Sequence, residues 1–283
     1  MIIKELENKA RIIRKDILKM LTLAGSGHTG GCLSATDIVT ALFFYKMRHD
    51  PQNPGWSGRD IFILSKGHAA PLLYAVLARA GYFDLDELKT LRKVGSRLQG
   101  HPNVRTLPGI EMSTGSLGQG LSIANGIAMG KKLDGLNSQI YVLLGDGEVQ
   151  EGQVWEAAMT ASHYQLDNIC AILDRNGLQI DGFVTDVMDI DPISDKWRAF
   201  GWDVIEIAGH SISEIITTLD GLERKRGKPS IIIANTIKGK GVSFFEGKCE
   251  YHGIAPTRDE LERALIELGD EILEEKELNS YNI

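Results

Sequence analysis

Two side chains raise the chemical question. The apolar run "YVLLG" ends in Asp146, held between Gly145 and Gly147, and a second run, "NICAILD", ends in Asp174-Arg175-Asn176. A carboxylate and an amide at the ends of neighbouring strand-like runs are hard oxygen donors. A cation such as Mg2+ takes oxygen ligands in near-octahedral geometry and is usually completed by ligand phosphates and water. One carboxylate, one amide oxygen and a nearby backbone carbonyl make three protein oxygens, and a diphosphate adds two more. Glycines on both sides of Asp146 permit a tight turn and a close approach of phosphate to backbone N–H groups. Alone, Gly-Asp-Gly is also an ordinary turn; Glu151-Gly152 after it and Asn176 at the end of the next run make the reading specific. Four of the seven histidines, His28, His68, His101 and His252, sit beside glycine or in loop-like text. A lone histidine of this kind is more often structural, yet imidazole titrates near working pH and suits proton transfer.

These residues need elements to position them. Ile2 to Leu23 has apolar residues at helical spacing and reads as an amphipathic helix, broken by "GSGHTGG". Ser34 is predicted to cap a helix running to Met47. "DIFILS" reads as a strand, "GHAAPLLYAVLARAGY" as a helix and Asp84 to Leu91 as a short one. Arg92 to Gly115 is loop-like, and a loop of that length inside a compact domain is often functional. Ser116 to Leu133 reads as a helix capped by Ser116, then "QIYVLLG" as a strand, Gln153 to Tyr164 as a helix and "NICAILD" as a strand. Another round follows: helix Ser194 to Phe200, strand "WDVIEI", helix Ile212 to Glu223 and strand "SIIIANT". Alternating helices and continuously apolar strands predict an α/β fold, a mostly parallel sheet with helices on both faces. Asp146 and Asn176 then fall at carboxyl ends of strands joined by a right-handed crossover, where open α/β sheets bind ligands. A glycine-rich loop (238–256) and a charged helical tail (257–283) complete what reads as a single domain over residues 1–283, with no internal repeat and no linker.

Composition narrows the class. The chain has 283 residues, 43% hydrophobic and 24% charged, ordinary for a globular protein. The net charge of −7 argues against general nucleic-acid binding. Three cysteines, Cys32, Cys170 and Cys249, form no CxxC pair and point to free thiols in a reducing compartment. The N-terminus has charges throughout and no uninterrupted apolar core, unlike a signal peptide. No apolar run approaches the ~18 residues of a spanning helix. A cytoplasmic protein, no membrane partner and no nucleic-acid partner are expected.

The stretches "GSGHTGG", "LSKGHAAPLLYA", "GHPN…LPGIEMSTGSLGQGL", "GDGEVQEG…WEA", "DRNGLQIDG" and "EYHGIAP" run from Gly25 to Pro256. In content and order they resemble the N-terminal half of transketolase, a thiamine diphosphate enzyme family acting in pentose phosphate and other carbohydrate metabolism. The resemblance implies a Rossmann-like thiamine diphosphate-binding fold. It implies Asp146, Asn176 and the carbonyl of Leu178 as ligands of Mg2+ (or Ca2+ or Mn2+), and the Gly147 N–H as a diphosphate contact. His28, His101 and His252 would face the reacting carbons, and His68 and His252 the diphosphate. The carbonyl of Gly115 would accept the cofactor's 4′-amino group, Leu117 would pack by its rings, and Glu151, with Glu156, would join a carboxylate cluster at the subunit contact. Thr29 and Ser116 stand where the family commonly has proline, which touches backbone shape rather than chemistry.

The family's activating glutamate, its aromatic pocket for the pyrimidine and its sugar-phosphate arginines lie in a C-terminal half that has no counterpart here. The opening Met and polar tail are expected of a complete chain. The expectation is therefore a split transketolase: a diphosphate-binding subunit paired with a C-terminal transketolase subunit in an α2β2 assembly. That assembly would move a two-carbon ketol unit from a ketose phosphate to an aldose phosphate. The alternatives are a subunit of a 2-oxoacid dehydrogenase or a deoxyxylulose phosphate synthase, which share the Gly-Asp-Gly and Asn pair but not the four histidines, and a non-catalytic cofactor-binding module.

Overall fold

Unbroken apolar strands have no wet face, so each must be covered on both sides. The computed structural model, which describes residues 1–222 and 227–270, meets that need. Strands β1 (Ile61–Leu64), β2 (Ile140–Gly145), β3 (Ile169–Arg175), β4 (Asp203–Ala208) and β5 (Ser230–Asn235) form a wholly parallel sheet in the order β1-β2-β3-β5-β4. Alternate residues feed two cores. Phe62, Leu64, Tyr141, Leu143, Cys170, Ile172, Ile232 and Ala234 enter the first. They pack there against α1 (Ile2–Ala24), α2 (Thr29–Ser34), α3 (Thr36–Ala41), α4 (Ala70–Arg79), α9 (Ile212–Gly221) and α10 (Arg258–Glu267). Their neighbours Ile61, Ile63, Ile140, Val142, Ala171, Leu173, Ile231 and Ile233 enter the second. That core is closed by α5 (Gln119–Leu133), α6 (Gly152–His163), α7 (Val184–Val187) and α8 (Ile193–Ala199).

The layering follows from handedness. Right-handed crossovers that advance across the sheet put their helices on one face, and a crossover that steps back puts its helix on the other. Helices α6 and α8, on advancing connections, lie in the second core; α9 leads from β4 back to β5 and lies in the first. The register sets Gly145 against Asp174 and Arg175 against Asn235, so the carboxyl ends of β2, β3 and β5 finish level.

Several boundaries differ from the sequence reading. Ser34 caps nothing: the chain is already helical from Thr29, and the single Ser34 hydroxyl proton goes to Asp174 Oδ2, with Gly31 O a longer alternative at 3.2 Å. The helix expected to reach Met47 is broken at Ala35 and ends in a wide π turn, Leu42–Lys46. Asp84 to Leu91 forms a 3-10 turn, Leu85–Thr90. Helix α5 starts at Gln119 behind Gly118, whose φ of 81° suits glycine, so Ser116 lies outside the helix. Glu223 and the tail expected over 271–283 lie outside the described residues. Among the described residues no helix is long and apolar enough to cross a membrane.

Helix α10 carries a reciprocal cap: Thr257 Oγ1 accepts the Glu260 N–H, and the Glu260 carboxylate accepts the Thr257 N–H at 2.8 Å. Thr257→Ala is expected to lower unfolding free energy by about 1 kcal/mol, read as a shift of the urea midpoint at unchanged slope.

Candidate active site

Four parallel strands deliver their following residues to one place. Lys66 and His68 come after β1, Asp146 and Gly147 after β2, Asn176 and Leu178 after β3, and Lys238 after β5. Together with His28, Gly115, Leu117, Glu151 and His252 they line a cavity of about 410 Å3. Asp146 is buried at 3% exposure; its Oδ1 accepts the Gly147 N–H at 2.9 Å and its Oδ2 the Gly177 N–H at 2.6 Å. Burial, and then repulsion from Asp174, push its carboxyl up to about 6. Asn176 Oδ1 accepts the Leu178 N–H at 3.1 Å, while its amide nitrogen donates to Asp174 Oδ2 at 3.3 Å. The oxygen of Asn176 is thereby oriented by its own loop, and the amide cannot be flipped without losing both contacts.

Three imidazoles form a triangle: His28–His68, His28–His252 and His68–His252 have ring centroids 5.1, 5.5 and 5.4 Å apart. Burial, first, and neighbouring cations depress all three. Arg92 is the chief charge acting on His28, Lys66 on His68 and Lys238 on His252. His28 falls to about 4 and His252 to about 3, so the cluster is neutral at pH 7. His28 Nδ1 is buried with no hydrogen-bond partner. His101 lies apart, exposed at the rim, with its ring against Gly115. Gly115 has φ 150°, and a Cβ there would sit 3.0 Å from His101 Cδ2, so this close approach requires glycine.

The floor is ionic. Lys66, 2% exposed, donates to Asp174 Oδ2 at 2.6 Å and to Gly31 O at 3.1 Å. Ser34, Thr236 and Asn176 also donate to Asp174. Burial alone would raise the Asp174 carboxyl; the Lys66 charge and these donors outweigh it and hold it below the usual carboxylate range. Above the floor, Lys238 Nζ donates to Leu178 O at 3.2 Å and to His252 Nδ1 at 2.8 Å. Burial, and then Lys66, lower its amine to about 8. Buried Glu148 accepts the Gly118 N–H at 3.0 Å, the Gly145 N–H at 2.9 Å and the Ser65 hydroxyl. It ties the ends of β1 and β2 to the start of α5.

Sequence reading singled out Asp146, Asn176, Leu178, Gly115, Leu117, Gly147, Glu151 and four histidines, and the fold brings all of these but His101 together around the cavity. His101 adjoins the cavity without lining it, and Glu156 sits on the exposed face of α6. Lys66, Glu148, Asp174 and Lys238 were missed. The available signal was positional: each follows or ends a strand at the carboxyl edge, where a charge is buried.

The histidines make stability depend on pH. As pH falls through the ordinary histidine value near 6.5 the unfolded chain takes up protons; the native chain does so at His28 and His252 only near 4 and 3. At these two rings the unfolded chain binds more protons throughout that window, so their contribution to native stability rises with pH from about 4 to about 6.5 and is constant above it. His252→Asn is expected to flatten the rise, measured as urea unfolding free energy at pH 5, 6 and 7.

Comparison with known proteins places this arrangement. The family described as "Transketolase, thiamine diphosphate binding domain" matches residues 3–278. The 6-deoxy-6-sulfo-D-fructose transketolase subunit SqwG of Clostridium sp. (strain MSTE9) is 47% identical over 94% of this chain and 97% of its own length. An apulose-4-phosphate transketolase subunit of Phocaeicola vulgatus is 42% identical over 98% and 99%. Human transketolase is 41% identical over 98% of this chain, which spans 44% of the human protein. Among solved structures, Campylobacter jejuni transketolase superposes with a TM-score of 0.89 at 33% identity, covering 99% of this chain and 46% of its own. The chain belongs to the transketolase family and matches its thiamine diphosphate-binding domain.

Proposed function

We propose that this chain, a single domain, is the diphosphate-binding subunit of a two-chain transketolase, transferring a two-carbon ketol unit from a ketose phosphate to an aldose phosphate. The observation that carries the reading is the meeting, in one cavity, of Asp146, Asn176, Leu178 O and three neutral imidazoles. Near-complete overlap with relatives named as subunits, against 44% of human transketolase, supports a second polypeptide, with which the chain would form an α2β2 assembly. Relatives named for a sulfofructose and for apulose-4-phosphate differ in sugar across similar subunits. We therefore assign the choice of sugar to the partner.

The residues present fit thiamine diphosphate with Mg2+. Asp146, Asn176 and Leu178 O are hard oxygen donors, and Asp146 is a buried carboxylate raised by burial and by Asp174, a charge that a bound cation would favour. Among the described residues no group of three or more His, Cys, Asp or Glu could hold a metal by itself, so ligand oxygens would complete the shell. Lys238, His68 and the Gly147 N–H would supply donors for a diphosphate, and His28 lines the same cavity. Gly115 O and Leu117 would contact the pyrimidine and the rings. When bound, the thiazolium supplies an electron sink for the carbanion left by C–C cleavage. The chain's own part is position and protons. Neutral His28 and His252, with His101 at the rim, take a proton from the donor hydroxyl and return one at the acceptor carbonyl oxygen. Their low pKa values keep them free bases at neutral pH. Glu151, at the cavity edge, meets the partner's half of the site, with Glu156 in the same contact.

Asp146→Ala or Asn176→Ala is expected to weaken Mg2+-dependent thiamine diphosphate binding about 100-fold or more, measured by calorimetric titration of the reconstituted complex. The purified chain alone should turn over little or no ketose phosphate until its partner is added; strong turnover without one would overturn the two-chain reading.

A further inference from the structure

Lys238 owes its place to the short segment Ile237–Lys240, and that segment has little apolar anchoring at its start, since Ile237 is 39% exposed. Polar contacts hold it. The Ile237 N–H donates to His210 Nε2 at 2.8 Å, the Gly239 N–H donates to Gly30 O at 3.0 Å, and Lys240 O accepts from Arg14 Nε at 3.0 Å. A backbone N–H can only donate, so His210 Nε2 carries its lone pair and Nδ1 carries the proton. That Nδ1–H points at Asp37 Oδ2, 2.8 Å away. Asp37 is 6% exposed and also takes both nitrogens of the Arg14 fork at 2.9 and 2.7 Å. A settled buried carboxylate therefore fixes the tautomer of His210, and the tautomer makes His210 an acceptor for the segment.

We propose that His210 is a positioning residue for Lys238, acting through the Ile237 N–H, and that it holds the amine against Leu178 O and His252 Nδ1. Its importance to binding rests on the reading of Lys238 as a diphosphate-facing group. The geometry leaves the amine little freedom otherwise. Gly30 packs so closely on the Lys238 stem that a Cβ there would come 2.7 Å from Cγ. A slip of Ile237 thus moves Lys238 relative to a wall that cannot follow. The amine meets one candidate cation ligand, Leu178 O, and one candidate acid–base group, His252, so displacement is felt by both. His210 does not line the cavity; it lies on the turn between β4 and α9, bonds the segment directly at the Ile237 N–H and is joined to Lys240 O at the other end only indirectly, through Asp37 and Arg14.

Two substitutions separate the segment contact from the Asp37 contact. In His210→Gln the longer arm can place an amide oxygen near the position of Nε2 and accept from Ile237. In His210→Asn the shorter arm can donate to Asp37 in place of Nδ1 but leaves Ile237 without an acceptor. Amide hydrogen exchange in the full chain and calorimetric titration of the reconstituted complex with thiamine diphosphate and Mg2+ read the two consequences. His210→Asn should speed exchange at Ile237 and raise the cofactor dissociation constant, each about tenfold, the worth of one hydrogen bond. His210→Gln should stay within about threefold of wild type in both, although it loses the Asp37 contact. Wild-type affinity in His210→Asn, or a tenfold loss in His210→Gln, overturns the proposal. If the wild-type complex itself binds no thiamine diphosphate, the proposed function fails. The exchange contrast, which needs neither partner nor cofactor, still decides whether His210 holds the segment.

Discussion

The structure depends on a buried ion pair, Lys66 with Asp174, set where parallel strands end. Two opposite charges at 2.6 Å, at 2% and 0% side-chain exposure, cannot be left half-made: removing one partner of such a pair typically costs about 3–5 kcal/mol. The pair gathers the active-site frame around itself. Lys66 follows β1 and also binds Gly31 O on α2; Asp174 belongs to β3 and takes hydroxyls from Ser34 on α2 and Thr236 after β5. Four separate pieces of chain are thus drawn to one point beneath the cavity. The added donors to both carboxylate oxygens, rather than the attraction alone, are what make burial tolerable there.

Charge then descends through the site in steps. Asp174 is held low by Lys66 and its donors, whereas burial, and then Asp174 itself, raise Asp146 to about 6. Burial, and then Lys66, lower Lys238 to about 8, and burial with Arg92, Lys66 and Lys238 presses the three imidazoles toward neutrality. A carboxylate, an amine and a set of rings are each displaced from their ordinary behaviour by burial acting with neighbouring charges. That clustering of displaced groups is what a site built for an absent, highly charged ligand presents.

Much of this was legible in the residues. Asp146 and Asn176 could be placed because continuous apolar runs such as "YVLLG" and "NICAILD" admit one use, a two-side-buried strand, and the residues after such a strand land at the sheet's functional edge. The resemblance to transketolase then assigned Leu178, Gly115, Leu117 and the histidines. Lys66 and Lys238 stayed hidden because a lysine after a strand looks like a solvated end; only long-range contacts, to Asp174 and to Leu178 and His252, bury them. Ser34 and Ser116 read as caps by local grammar, but the Ser34 hydroxyl is drawn 140 positions along the chain to Asp174, and Gly118 supplies the left-handed step that begins α5. His101 carries its motif yet lies at the rim, where a second polypeptide would decide what it faces.

The buried amines sit inside a molecule whose overall charge is −7. An approaching polyanion is therefore repelled at a distance and attracted only once it has passed the rim. Added electrolyte shortens the reach of the outer field to about 8 Å at physiological ionic strength while leaving contacts within the cavity largely unscreened. Association of a diphosphate-bearing ligand with this domain should accordingly quicken as modest salt is added, the reverse of the usual steering of anions toward basic proteins.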